Sequence, residues 1–181
     1  LPPVHQRGEI LAQAEHDPLA AVVLHLRSLE ASRQATALSL TDPLTGLGNR
    51  RRLSERLQRE LDRCDASREP LSVCVLDVDG FKGINDSRGH PAGDDALVAV
   101  AGALRQGGEA FRLGGDEFVL LLPSHGTAAA AEIAAAVGER VRVLELAVSV
   151  GTATYDGDGN GRNDLLRVAD EQLYALRATR R

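Results

Sequence analysis

Apolar positions follow two rhythms along the chain. Leu19, Val22, Leu26, Leu29, Arg33, Thr36 and Leu40 recur at alternating three- and four-residue steps, a heptad seam flawed at Arg33 and Thr36. Asp17-Pro18 reads as the start of that helix, with Asp17 as N-cap and Pro18 at the first helical position. Residues 1–16 have weak periodicity and read as a linker or a broken helical turn. The stripe could pack on its own domain or zip with a second copy. Because it precedes the rest of the chain and stops at Asp42-Pro43, the second reading is favoured, with residues 1–40 as a dimerising stalk and 41–181 as a separate domain.

Beyond Asp42 the rhythm changes repeatedly, as in an α/β chain. Arg50 to Cys64 is a polar helix with Leu53, Leu57 and Leu61 at four-residue spacing. Leu71 to Val78 (LSVCVLDV) is a buried strand, and residues 91–105 are helical. Ala110–Arg112 and Glu117–Leu122 form a hairpin around Gly114-Gly115, whose turn requires positive φ. Ala128 to Val141 is an alanine-rich helix, Leu146 to Ala153 a strand and Asn163 to Arg177 a closing helix, with a surface turn at 156–161.

Composition narrows the classes of function. At 181 residues and a formal charge of −5, the chain has the size of one domain with an appendage and lacks the basic face that duplex binding requires. Aromatic residues are 3% and Trp is absent, which argues against base-stacking platforms, so no nucleic-acid partner is expected. No apolar run approaches the ~18 residues of a membrane span, and the opening residues lack the charged-then-apolar pattern of a signal peptide, so neither is expected. Cys64 and Cys74 make neither a disulfide framework nor a zinc cluster. A reducing, cytoplasmic location is expected. Lys82 is the only lysine among 21 basic side chains, as if a compact ammonium were needed there.

The chemistry gathers at the end of the buried strand. Alternation puts Asp77 and Asp79 on one face, and the hairpin adds Asp116 and Glu117 after its two glycines. If the strands are neighbours, Asp77 and Asp116 converge, and like charges that close call for a hard divalent cation. Taken singly, each acid is more often a solvent-facing turn residue. Lys82 is suited to neutralising a phosphate, Asn85 to reading a purine edge and Asp94 to accepting from a guanine amino group and ring N–H. The plainer alternatives are a salt bridge for Lys82 and helix capping for Asn85 or Asp94.

These segments together resemble the GGDEF diguanylate cyclases. Gly114-Gly115-Asp116-Glu117-Phe118 spells the family's name-giving motif; Asp42 to Arg50 (DPLTGLGNR) is similar to its opening DxLTGLxNR, and Asp77 to Asp86 (DVDGFKGIND) to its DxDxFKxxND. Gly89-His90, Gly93-Asp94 and Leu97 follow at the family's spacing, and Ala169-Asp170, Leu173-Tyr174 and Arg177 resemble its ADxxLYxAK helix. The resemblance implies a palm-like nucleotidyl cyclase fold, a mostly antiparallel sheet flanked by helices, that condenses two GTP into cyclic di-GMP across a homodimer. It implies two magnesium or manganese ions per active site, with Asp77, the Val78 carbonyl and Asp116 as metal ligands. Asn85 and Asp94 then read guanine, with His90 nearby in the pocket. Phe81, Lys82, Gly114, Gly115, Arg177 and Arg181 bind the remainder of the substrate. Glu117 helps deprotonate the attacking 3′-hydroxyl or assists the second metal.

Two departures from the family pattern stand out. Arg177 replaces a usual lysine, which keeps the charge and alters the geometry. The inhibitory RxxD tetrapeptide is here Arg105-Gln106-Gly107-Gly108, an arginine without its aspartate, so weak or absent product inhibition is expected. The final helix looks minimal, which fits the output end of a longer sensor protein. A catalytically silent GGDEF module and an adenylate-type cyclase are the alternatives. Asp94 disfavours the second, because a carboxylate would meet an acceptor at adenine N1.

Overall fold

The computed structural model describes residues 19, 22–27, 40–157, 161 and 164–178. The chain divides into two units, Leu1–Ser39 and Leu40–Arg181. In the first, Leu19 and 22–27 are helical, and Leu19, Val22 and Leu26 are exposed. Asp17, Pro18, Leu29, Arg33 and Thr36 of the predicted seam lie outside the described residues. Leu40 was expected to end that seam but is not helical; its carbonyl accepts the Asn49 N–H at 3.0 Å, so it opens the second unit instead.

The second unit is a sheet between two layers of helices. In chain order it contains α1 (Arg50–Ser67), β1 (Leu71–Val78), α2 (Phe81–Arg88), α3 (His90–Leu104), β2 (Glu109–Gly114), β3 (Glu117–Pro123), α4 (Thr127–Val143), β4 (Val148–Tyr155) and α5 (Leu165–Ala178). The four strands are ordered β2-β3-β1-β4 and every pairing is antiparallel. β1 is central and buried along its whole length, which explains its near-continuous apolar sequence.

Strand alternation divides the core. Cys74, Leu76, Val78, Phe118, Leu120 and Leu122 pack with Leu97, Val100 and Leu104 of α3 and Val137 and Val141 of α4. Leu71, Val73, Val75, Val119, Leu121 and Tyr155 pack with Leu53 and Leu61 of α1 and Leu165, Ala169 and Leu173 of α5. Burying apolar surface on both faces, at about 25 cal/mol per Å², is what holds the sheet so firmly beneath the site. Asn49 caps α1 by accepting the Arg52 N–H at 3.1 Å.

Close backbone approach fixes α5. A Cβ at Gly151 of β4 would collide with the Ala169 carbonyl and lie 2.9 Å from the Leu173 Cβ, so the helix backbone rests directly on the strand. The Gln172 amide oxygen also accepts the Thr152 N–H. On the far side of the sheet, Gly48 forms a parallel bridge to Phe111 of β2, with the Arg112 N–H donating to the Gly48 carbonyl at 2.8 Å.

α2 is the element that hydrophobic periodicity did not predict. None of its residues is fully buried, and Gly80, in the left-handed region at φ +70°, turns the chain into it.

Candidate functional site

β1 carries the row Leu71, Val73, Val75, Asp77 on its α1/α5 face, so three apolar side chains are followed by a carboxylate that is 7% exposed. In the ladders, Asp77 stands opposite Glu117 of β3 and Ser149 of β4. Residues opposite one another in antiparallel strands share a face, so the Asp77 and Glu117 side chains emerge on the same side. Beside them, the Val78 N–H donates to the Asp116 carbonyl at 3.2 Å, drawing the β2–β3 turn against the end of β1.

Asp77 is electrostatically uncomfortable. Burial, reinforced by the Asp116 charge, pushes its carboxyl up to about 6, and Arg177 only partly offsets this. One oxygen, Oδ2, takes the Arg177 Nη1 at 2.8 Å. The other, Oδ1, is buried with no hydrogen-bond partner. A buried acceptor left unsatisfied is costly and calls for a ligand or ion. No three His, Cys, Asp or Glu side chains cluster as a metal cage among the described residues. A site of two carboxylates and a carbonyl remains suitable for magnesium, which also takes substrate phosphates and water.

The turn that presents Asp116 is held by one side chain. Gly114 (φ +140°) and Gly115 (φ +54°) adopt conformations that favour glycine, after a register shift at Arg112/Gly114. Arg112 grips the Gly115 carbonyl with Nε and Nη2 at 3.0 and 2.7 Å, and the Asp42 carboxylate with Nη1 at 3.0 and 3.2 Å. Asp42 also accepts the Thr45 N–H and hydroxyl, at 2.8 and 2.6 Å. Burial works against the charge on Asp42, but the Thr45 hydrogen bonds and Arg112 outweigh it and hold the carboxyl below the usual range. The opening DPLTGLGNR segment therefore braces the hairpin. Arg112, which sequence reasoning passed over, is the brace, and its only trace in the sequence is a strong donor set two residues before the glycines.

Asp79 behaves differently from Asp77. The strand ends at Val78, the Asp79 N–H donates to the Ala147 carbonyl at 2.9 Å, and its carboxylate accepts the Ser149 hydroxyl at 2.7 Å. It thus holds the hydroxyl of the residue that stands opposite Asp77, which keeps the two acids on the same side of the sheet.

Beyond Gly80, the first turn of α2 has no side-chain cap, so its leading N–H groups are open to an anion. Phe81 packs against the core and Lys82 is exposed. The left-handed Gly89 (φ +82°) links α2 to α3 and brings Asn85 over Gly93, next to Asp94. A Cβ at Gly93 would overlap the Asn85 Oδ1 and lie 2.9 Å from its Cγ and 3.3 Å from the Phe81 Cε2. His90 and Asp94, at the start of α3, are exposed.

The remaining predicted residues are dispersed. Arg177, expected toward a triphosphate, forms an ion pair with Asp77. Arg181 lies outside the described residues. Arg105, at the end of α3, donates from Nη2 to the Thr45 carbonyl at 2.6 Å. At its partner position, a Cβ on Gly108 would lie 2.7 Å from the Leu122 Cδ2 and 3.2 Å from the Leu121 carbonyl oxygen.

Comparison with known proteins agrees with this architecture. Residues 39–181 match the family described as diguanylate cyclase, GGDEF domain. The chain is 37% identical to diguanylate cyclase DgcP of Pseudomonas aeruginosa, over 97% of this chain and 30% of that protein. It is 34% identical to the response regulator PleD of Caulobacter vibrioides, over 80% of this chain and 35% of the relative. It thus spans about a third of these relatives' length. Among solved structures, diguanylate cyclase SiaD of P. aeruginosa, in complex with its activator SiaC, superposes with a TM-score of 0.73 at 30% identity, covering 97% of this chain and 75% of that one. The GGDEF domain of DgcB from Caulobacter crescentus, in complex with c-di-GMP, superposes with a TM-score of 0.72 at 28% identity, covering 78% and 89%. With its antiparallel sheet, its glycine-turned acidic hairpin and this sequence match, the chain belongs to the GGDEF diguanylate cyclase family.

Proposed function

We propose that residues 41–181 form an active cyclase domain that condenses two GTP into cyclic di-GMP and releases two pyrophosphates. The observation that carries this reading is the cross-strand pair Asp77 and Glu117, beside Asp116, with a buried Asp77 Oδ1 that has no protein partner. Asp77, the Val78 carbonyl and Asp116 would hold magnesium or manganese, two ions per site. When bound, the metal supplies Lewis-acid polarisation of the α-phosphate and eases ionisation of the attacking hydroxyl.

The chain's own residues do the rest. The open N–H groups at Phe81, together with Lys82, Arg177 and Arg181, bind and orient the triphosphate. The Gly114-Gly115 turn lets the backbone pass close to it. Asn85 and Asp94 take the guanine edge, with His90 at the rim. Glu117 accepts the 3′-hydroxyl proton as that oxygen bonds to the α-phosphorus of the other GTP and the bond to pyrophosphate breaks. One domain holds one GTP, so two copies must face each other, and residues 1–39 serve as the stalk that brings them together beneath an upstream sensor domain. GTP as substrate and two buried free thiols suit a cytoplasmic setting. No helix among the described residues is long and apolar enough to cross a membrane.

Incubation with magnesium and GTP, then ATP, followed by product identification tests the proposal. Cyclic di-GMP from GTP alone is expected. Tight GTP binding without turnover would instead assign a silent binding module, and a cyclic product from ATP would assign an adenylate-type cyclase.

A further inference from the structure

Arg177 does not wait in solvent for a phosphate. It sits on α5 one turn beyond Leu173, which is packed against the backbone of β4 at Gly151, and this places the arginine over the neighbouring strand β1. Its Nη1 lies 2.8 Å from the Asp77 Oδ2, with the arginine side chain 40% exposed and the aspartate 10% exposed. The carboxylate is therefore enclosed, while the guanidinium is open to solvent on one side. Asp77 Oδ1 is left buried without a partner, so the arginine neutralises the charge and leaves half of the hydrogen-bonding capacity unused. A divalent cation on the open Oδ1 and the guanidinium on Oδ2 are like charges competing for one carboxylate.

We infer that Arg177 is a built-in counter-ion that occupies Asp77 until a divalent cation displaces it, and that the triphosphate receives the displaced side chain. The inference rests on the reading of Asp77 as a metal ligand and deepens it. The arginine holds the unloaded acidic site together and lowers its affinity for bare metal. Nucleotide then tightens metal binding by removing the competitor, and by reciprocity metal tightens nucleotide binding by freeing a phosphate ligand. The domain thus favours metal and triphosphate arriving together.

The test is Mn2+ binding followed by electron paramagnetic resonance on the nucleotide-free protein, comparing wild type with Arg177→Ala, Arg177→Lys and Asp77→Asn, each checked for folding by thermal melt. Arg177→Ala is expected to bind Mn2+ about two- to fivefold more tightly, the range a partly exposed ion pair allows. Arg177→Lys, which keeps the charge on a different, more strongly hydrated head group, is expected in between. Asp77→Asn is expected to lose the site. A non-hydrolysable GTP analogue should tighten Mn2+ binding more in wild type than in Arg177→Ala. Unchanged or weaker Mn2+ binding by folded Arg177→Ala, with Asp77→Asn still abolishing it, overturns the counter-ion role and leaves the metal reading standing. Equal tightening by the analogue in both proteins overturns the handover. Mn2+ binding indifferent to Asp77→Asn removes the metal reading and this inference together.

Discussion

Gly93→Ala separates the demands of the fold from those of nucleotide recognition. In the first turn of α3, alanine in place of glycine favours the helix by up to about 1 kcal/mol. The new methyl group, however, falls on the Asn85 Oδ1, and 2.9 Å from Cγ, so the amide must rotate away. Forcing a side chain off its rotamer costs about 0.5–1.5 kcal/mol, which nearly cancels the helix gain. Gly102→Ala, on the same helix with nothing within 4 Å of its Cβ, is the matched control. The control should melt about 3 °C higher than wild type, and Gly93→Ala within about 1 °C of it. Binding should diverge. A displaced Asn85 loses one or two hydrogen bonds to the base at about 1 kcal/mol each, so affinity for a non-hydrolysable GTP analogue should fall roughly five- to thirtyfold, and its preference over the ATP analogue should shrink. Calorimetry on the three proteins measures both. A Gly93→Ala protein that is folded, binds the guanine analogue as tightly as wild type and keeps its selectivity would refute the placement of the base beside Asn85.

Three further outcomes follow from the same geometry. Glu117→Gln should retain GTP binding while cyclic di-GMP formation drops about 10²- to 10⁴-fold, measured by chromatography of the product; an unaltered rate excludes Glu117 as the base. Gly108→Asp, which rebuilds the RxxD pattern, should lower the melting temperature and still fail to give tight product binding by calorimetry, because its Cβ meets Leu122 and the Leu121 carbonyl while Arg105 is held by Thr45. For Asp77, the folded carboxyl is raised to about 6 and so holds its proton more tightly than the unfolded chain does; the metal-free fold loses that advantage as pH rises from about 4 through 6. The melting temperature of Asp77→Asn relative to wild type in a chelator should therefore climb between pH 4 and pH 7, and a flat difference contradicts the raised carboxyl.

How far the amino-acid order foretells the fold depends on burial. β1 is readable because it is covered on both faces, leaving LSVCVLDV almost no polar option before Asp77. α1 shows itself through Leu53, Leu57 and Leu61, which line one face of a helix otherwise made mostly of charged and polar residues. α2 escapes detection because FKGINDSR buries none of its residues fully, and its start depends on the backbone of Gly80 rather than on any stripe. At the site, the residue types of the acids and of the glycine turn were visible, whereas their partners were not. The Arg177–Asp77 pair joins the last helix to the central strand, the Arg112–Asp42 clamp joins β2 to the segment before α1, and Asn85 meets Gly93 across a helical corner. Such contacts are made by topology, and no local period encodes them.

The cover that Gln172 places on Thr152, and Gly48 on β2, bears on how copies of this protein can safely be crowded together. These are the two outermost strands, where unpaired backbone would otherwise invite a foreign strand to add on. With each margin blunted by the chain's own groups, indiscriminate sheet extension between neighbours is discouraged. An encounter between two such domains is left to side-chain surfaces, the kind of contact that can form, turn over and separate again without seeding an aggregate.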